Sequence, residues 1–151
     1  MPQLEQAIHI QAPPETLFTI IAHQPERMPE WWNAFELQQR VTPAPTTVGS
    51  IARYAYNMMG IRIKGEHQVM QLDENARFVI KTLSGIDGMF EFTLTPLEDG
   101  TRLQVRVALT LPGSVLGQRL NRLTIEQKNE RDLYDALENL KRIAEGEVAP
   151  R

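Results

Sequence analysis

The 151-residue chain contains no cysteine. Disulfides, thiolate nucleophiles and cysteine-based metal sites are excluded, while the compartment stays open. Histidine is scarce too. His9, His23 and His67 are scattered without His-x-x-x-His spacing, so neither a metal site nor a metal cofactor is expected. No run approaches the ~18 apolar residues of a membrane span, and no charged N-terminal region precedes an apolar one. Stable membrane insertion and a signal peptide are therefore not expected, and the cytoplasm is the expected location. Lys and Arg number 16 against 19 Asp and Glu, a formal net charge of -3 with no basic cluster, which argues against a nucleic-acid partner. No serine has a predicted histidine beside it, and Gly85 to Gly88 lacks a phosphate-binding fingerprint. Catalytic residues stay unassigned, and no organic cofactor is implied.

What is present is an ordinary globular composition, 42% hydrophobic and 23% charged, consistent with one domain over residues 1–151. Its longest pattern is a helix from Ser114, a fitting N-cap after Pro112-Gly113, to Gly146 as a left-handed C-cap. The apolar stripe comes in two pieces, Leu116, Leu120 and Leu123, then Leu133, Tyr134, Leu137, Leu140 and Ala144. Between them 124–132 carries a single aliphatic residue. Either the helix passes over a cavity there, or its middle turn bows into solvent.

Earlier segments read as partners for that helix. Leu4 to Ala12 alternates as a first strand, and Pro13-Pro14 opens a helix over Glu15 to His23. Pro25 and Pro29 break the next stretch into a turn or second short helix, and Phe35 to Thr42 reads as a second strand. From Val48 to Leu111 strand follows turn without any helix signal. A two-residue loop at Met59-Gly60 would set Met58 opposite Ile61, Tyr56 opposite Ile63, Tyr54 opposite Gly65 and Ala52 opposite His67. A four-residue loop over Asp73 to Ala76 would set Leu72 opposite Arg77 and His67 opposite Thr82. The Asp99-Gly100 loop would align Phe92 with Val105 and Phe90 with Val107. One face then carries Tyr54, Tyr56, Met58, His67, Gln71, Phe78, Thr82, Phe90 and Phe92. The other carries charges, with Arg53 opposite Glu66 and Glu91 opposite Arg106, pairs that support the register.

A strand, a short helical pair, an antiparallel run and a long final helix resemble the helix-grip fold of the START-like (SRPBCC) superfamily. The matching stretches are Ile8-His9-Ile10-Gln11-Ala12-Pro13-Pro14-Glu15, Pro29-Glu30-Trp31-Trp32, Val48-Gly49-Ser50 and Leu137 to Gly146. They are similar to the polyketide cyclase/dehydrase and lipid-transport group. The resemblance implies an α+β fold: a curved antiparallel sheet of about seven strands wrapped around the C-terminal helix, with two short helices between the first two strands. It also implies a cavity between sheet and helix for a lipid, polyketide, quinone or similar molecule; the oligomeric state is left open between monomer and homodimer. An aromatase/cyclase or dehydratase, moving protons with His67, Tyr54, Tyr56 and Arg131, is the alternative.

The residues expected to line such a cavity are Trp32, Tyr54, Tyr56, Met58, His67, Phe78, Thr82, Phe90, Phe92, Leu123, Gln127, Arg131 and Tyr134. Some of them have a plainer reading. His67 either meets a ligand or is a core histidine satisfied by Thr82 or backbone. The Tyr54 and Tyr56 hydroxyls need partners, with a ligand, water, Gln127 or Arg131 as candidates. Trp31-Trp32 either gates a pocket or plugs one end of the sheet.

Overall fold

The computed structural model describes residues 3–110 and 122–148. Strand β1 (Gln3–Ile10) leads to Pro13, whose extended backbone positions Pro14 in the first turn of helix α1 (Pro14–Phe18). The helix does not run regularly to His23 as the sequence pattern predicts. The Thr19 hydroxyl donates to Glu15 O at 2.7 Å, competing for a helical carbonyl, and the chain widens into a π turn over Thr19–His23. Pro25 then starts a 3-10 turn, Pro25–Arg27, that feeds helix α2 (Met28–Trp31).

Strands β2 (Phe35–Arg40), β3 (Ile51–Met58), β4 (Ile61–Asp73), β5 (Arg77–Thr82), β6 (Asp87–Leu97) and β7 (Gly100–Thr110) follow. With β1 they form one antiparallel seven-stranded sheet in the order β1-β7-β6-β5-β4-β3-β2. Helix α3 (Arg122–Val148) closes the described chain, giving the expected helix-grip arrangement. No helix among the described residues is long and apolar enough to cross a membrane.

Turn chemistry fixes most of the register. Met59 and Gly60 adopt φ of 53° and 93°, the left-handed pair a two-residue hairpin demands. Met58↔Ile61, Tyr56↔Ile63, Tyr54↔Gly65 and Ala52↔His67 face one another as expected. So do His67↔Thr82, Phe92↔Val105 and Phe90↔Val107. The cross-strand charges face each other at Arg53↔Glu66 and Glu91↔Arg106, although Glu91 bonds more closely to Arg77, at 2.6 Å.

One register differs. The turn after β4 is shorter, with Asn75 at φ 63°, and an irregularity between Val69 and Gln71 absorbs the shift. Leu72 therefore pairs with Phe78, not Arg77, and packs on the core. Gln71 bonds Asp73 and Arg77 instead of joining the apolar face.

Helix α3 also corrects its prediction. Its buried stripe is Ile125, Asn129, Leu133, Ala136, Leu137, Leu140 and Ala144, so the packed face continues through the polar stretch. Asn129 can be buried there because it accepts a hydrogen bond from Tyr56 Oη at 3.2 Å. Leu123 and Tyr134 are 64% and 57% exposed, and Gln127 and Arg131 are exposed as well. Their angular positions lie off the stripe that Leu133, Leu137 and Leu140 define. Gly146 is helical rather than a left-handed cap. Ser114, Leu116 and Leu120 lie outside the described residues.

Candidate functional site

Strand parity brings one uncommon group into the apolar interior. His67 faces inward from β4 beside Ala52 of β3 and is 4% exposed. The Tyr54 ring stacks on it, centroids 5.9 Å apart and planes 21° apart. Gln38 of β2, level with Tyr54, reaches the imidazole with its Oε1, 2.9 Å from His67 Nε2. The other end of that amide is committed, since Gln38 Nε2 donates to Pro25 O at 3.0 Å. Oε1 is thus the accepting end, His67 Nε2 carries the proton, and Nδ1 is left as a bare acceptor. Burial drives the imidazole pKa down to about 4, so the ring is neutral near pH 7.

Among the described residues Nδ1 has no hydrogen-bond partner, nor do the buried Nε1 atoms of Trp31 and Trp32. His67 and Trp31 both line a cavity of ≈ 20 Å³. Ile21, Ala22 and Met28 wall it from the helical side, and Val69, Phe78, Ile80 and Phe92 from the sheet. Toward the β2–β3 loop the lining turns polar, with Arg40, Thr42, Thr46 and Ser50. Arg40 is itself engaged, donating to Glu26, Thr46 Oγ1 and His23 O. No described residue of α3 contributes to the lining. This space lies between the sheet and the short N-terminal helices, whereas the sequence reading put the cavity under the C-terminal helix.

A second buried polar group sits under α3. Tyr56 donates to Asn129, and burial, reinforced by the negative charge of Asp132, pushes the phenol pKa up. Asp132, whose own pKa is raised mainly by burial, is held by Lys128 at 2.6 Å. The Tyr54 hydroxyl is used structurally: it donates to Ser84 O at 2.7 Å and accepts from Ile86 N at 2.9 Å. Room for it exists only because Gly65 and Gly85 lack a Cβ; one at Gly65 would fall 2.2 Å from Ser84 O and 2.8 Å from Tyr54 Oη.

Of the expected lining residues, Trp32, Tyr54, Tyr56, Met58, His67, Phe78, Phe90 and Phe92 are buried on the inner side. An edge-to-face aromatic chain joins Trp31 to Phe92, and Trp32 to Phe35 and Phe90. Thr82 is partly buried, and its hydroxyl closes the β5–β6 turn with Gly88 rather than serving His67. Leu123, Gln127, Arg131 and Tyr134 lie on the outer side of α3 and meet none of these groups. The sequence reading missed Gln38, Trp31, Arg40 and Asn129. Gln38 shares the face of Tyr54 only in the β2–β3 register the structure shows, for which the sequence carries no turn signal. Running the Leu133–Leu137 stripe backward would have found Asn129.

No curated protein matches the chain. Solved structures do. TTHA0849 from Thermus thermophilus superposes with a TM-score of 0.81 at 19% identity, covering 98% of this chain and 100% of that one. A START superfamily protein from Mycobacterium smegmatis gives 0.69 at 18% identity, with 97% and 96% covered. The di-domain ARO/CYC StfQ from the steffimycin biosynthetic pathway gives 0.72 at 16%, covering 96% of this chain and 51% of that one. These likenesses establish the fold. Residues 1–145 match the family model for polyketide cyclase / dehydrase and lipid transport, and the chain belongs to that family.

Proposed function

We propose that the chain is a binding domain over residues 1–151 for an apolar small molecule of lipid, polyketide or quinone type, held on the inner face of the sheet. The observation that carries this reading is the largely apolar pocket between the sheet and the short N-terminal helices, lined by Met28, Trp31, Phe78, Ile80 and Phe92 beside a neutral His67. Buried polar groups are almost always hydrogen-bonded, so His67 Nδ1 and Trp31 Nε1, buried without partners among the described residues, are unusual for a core serving only to pack. The family's association with lipid transport supports the same reading. The cyclase or dehydratase alternative draws less support. Of its proposed acid/base set, the Tyr54 hydroxyl is saturated by backbone and Arg131 is exposed on the outer side of α3.

The test is a titration with N-phenyl-1-naphthylamine. The chain's two tryptophans, Trp31 and Trp32, both stand at or beside the pocket, so their emission should fall as the probe's rises. Saturable binding at micromolar concentration is expected. Absence of saturable binding, with tryptophan emission unchanged, refutes the proposal.

A further inference from the structure

We propose that apolar ligands reach the pocket through a mouth between the Pro25–Arg27 turn and the β2–β3 loop, and that Arg40 is the residue that holds this mouth shut. This rests on the binding function proposed above and adds the route of entry and its gating residue.

Burial locates the mouth. Most of the described residues that line the pocket are buried. Arg40, Thr42, Ser50 and Ile51 are the partly exposed ones, and they stand together where β2 ends and β3 begins. The rim there is not purely polar, since Val41 and Val48 of the same loop are 45% and 63% exposed. An arriving apolar molecule meets apolar surface before it meets the interior.

Hydrogen bonding makes this wall the easiest to part. Strands β4, β5 and β6 are joined by backbone ladders that run past Val69↔Ile80 and Phe78↔Phe92, so opening the sheet side would break several bonds together. Strand β2 is the sheet's edge. Among the described residues, side chains join it to the Pro25–Arg27 turn. Gln38 donates to Pro25 O, and Arg40 donates to His23 O at 2.6 Å and to Glu26 Oε2 at 2.8 Å. The same guanidinium donates to Thr46 Oγ1 at 3.0 Å, so one planar fork ties the turn, the edge strand and the β2–β3 loop. The Glu26 side chain is 51% exposed, and ion pairs of that kind are weak enough to break and re-form without unfolding the sheet. The far side of the turn stays anchored, because Arg27 pairs with Glu147 of α3 and Asn139 donates to Trp31 O.

The experiment follows uptake and displacement of N-phenyl-1-naphthylamine in the full chain. Glu26 does not line the pocket, so Glu26→Ala should speed uptake and release by the same factor, about two- to fivefold, and leave Kd unchanged. Arg40→Met loses all three bonds and should speed release about tenfold. Glu36→Ala breaks an ion pair that the same strand makes with Arg62, away from the mouth, and should change neither rate. The chain has no cysteine, so Ser50→Cys supplies a single thiol at the rim. Capping it with a bulky maleimide should slow uptake, a readout that does not depend on loosening any contact. Saturable binding with rates unmoved by Glu26→Ala, Arg40→Met and the cap would overturn the mouth and leave the binding function standing. Equal acceleration by Glu36→Ala would show a general loosening of the sheet and would overturn it as well. Failure of the probe to bind the unaltered chain would overturn both.

Discussion

Lowering the pH from 8 to 5 should expose His67 as a source of acid sensitivity. Its folded-state pKa of about 4 lies below the ordinary 6.5 because burial opposes the charged form. As the pH falls through 6.5 the unfolded chain takes up a proton at this position, while the native chain does not until about 4. Stability is complete above the ordinary value, declines between 6.5 and 4, and levels off below. Integrating the two titrations gives a loss of about 2 kcal/mol at pH 5 relative to pH 8, or roughly 4–8 °C in Tm for a domain of this size. Urea unfolding of wild type and His67→Gln at both pH values isolates the effect, because carboxylate contributions cancel in the difference. The variant should lose about 2 kcal/mol less than wild type on acidification. Parallel losses in the two proteins would show that His67 is not held neutral by burial, and would undercut its assignment as a bare acceptor.

Other expectations are structural. Tyr54→Phe removes the donor to Ser84 O and strands the buried Ile86 N–H, at a cost of about 1–3 kcal/mol in urea unfolding. Gly65→Ala places a Cβ against Ser84 O and should cost about 1–3 kcal/mol; a neutral result would mean that the β4–β5 region is not packed as described. Asn129→Ala should cost about 1–3 kcal/mol by orphaning the Tyr56 hydroxyl. Tyr134→Ala should change stability by less than about 0.5 kcal/mol and leave N-phenyl-1-naphthylamine affinity intact, since this residue stands on the solvent side of α3. A large loss in either measure would return Tyr134 to the interior.

The parts of this architecture that could be read ahead are those where local chemistry admits one solution. Met59-Gly60 can only be a tight left-handed turn, and once it is placed, every partner along β3 and β4 down to Ala52 and His67 follows. The turn after β4 offered no such constraint. Asp73 to Ala76 suits loops of three or four residues, and the irregularity near Met70 hides the difference, so Gln71 and Leu72 exchanged faces. The site itself was half legible. His67, Tyr54, Tyr56 and Phe92 follow from strand parity alone. Gln38 does not, because β2 reaches β3 through a long proline-containing loop that fixes no register. The outer residues of α3 were misplaced for a related reason. Polar Asn129 looked like an interruption, and only the tyrosine opposite it, distant in sequence, makes its burial tolerable.

The tightness of the interior has a kinetic consequence. A cavity of ≈ 20 Å³ cannot admit a guest the size of N-phenyl-1-naphthylamine until some rings have swung aside, so entry must wait on spontaneous breathing of the protein. In stopped-flow mixing, the observed rate should climb with probe concentration and then flatten at a ceiling set by that breathing, the same for every guest whatever its affinity. A rate that rose without limit would mean the guest never goes inside.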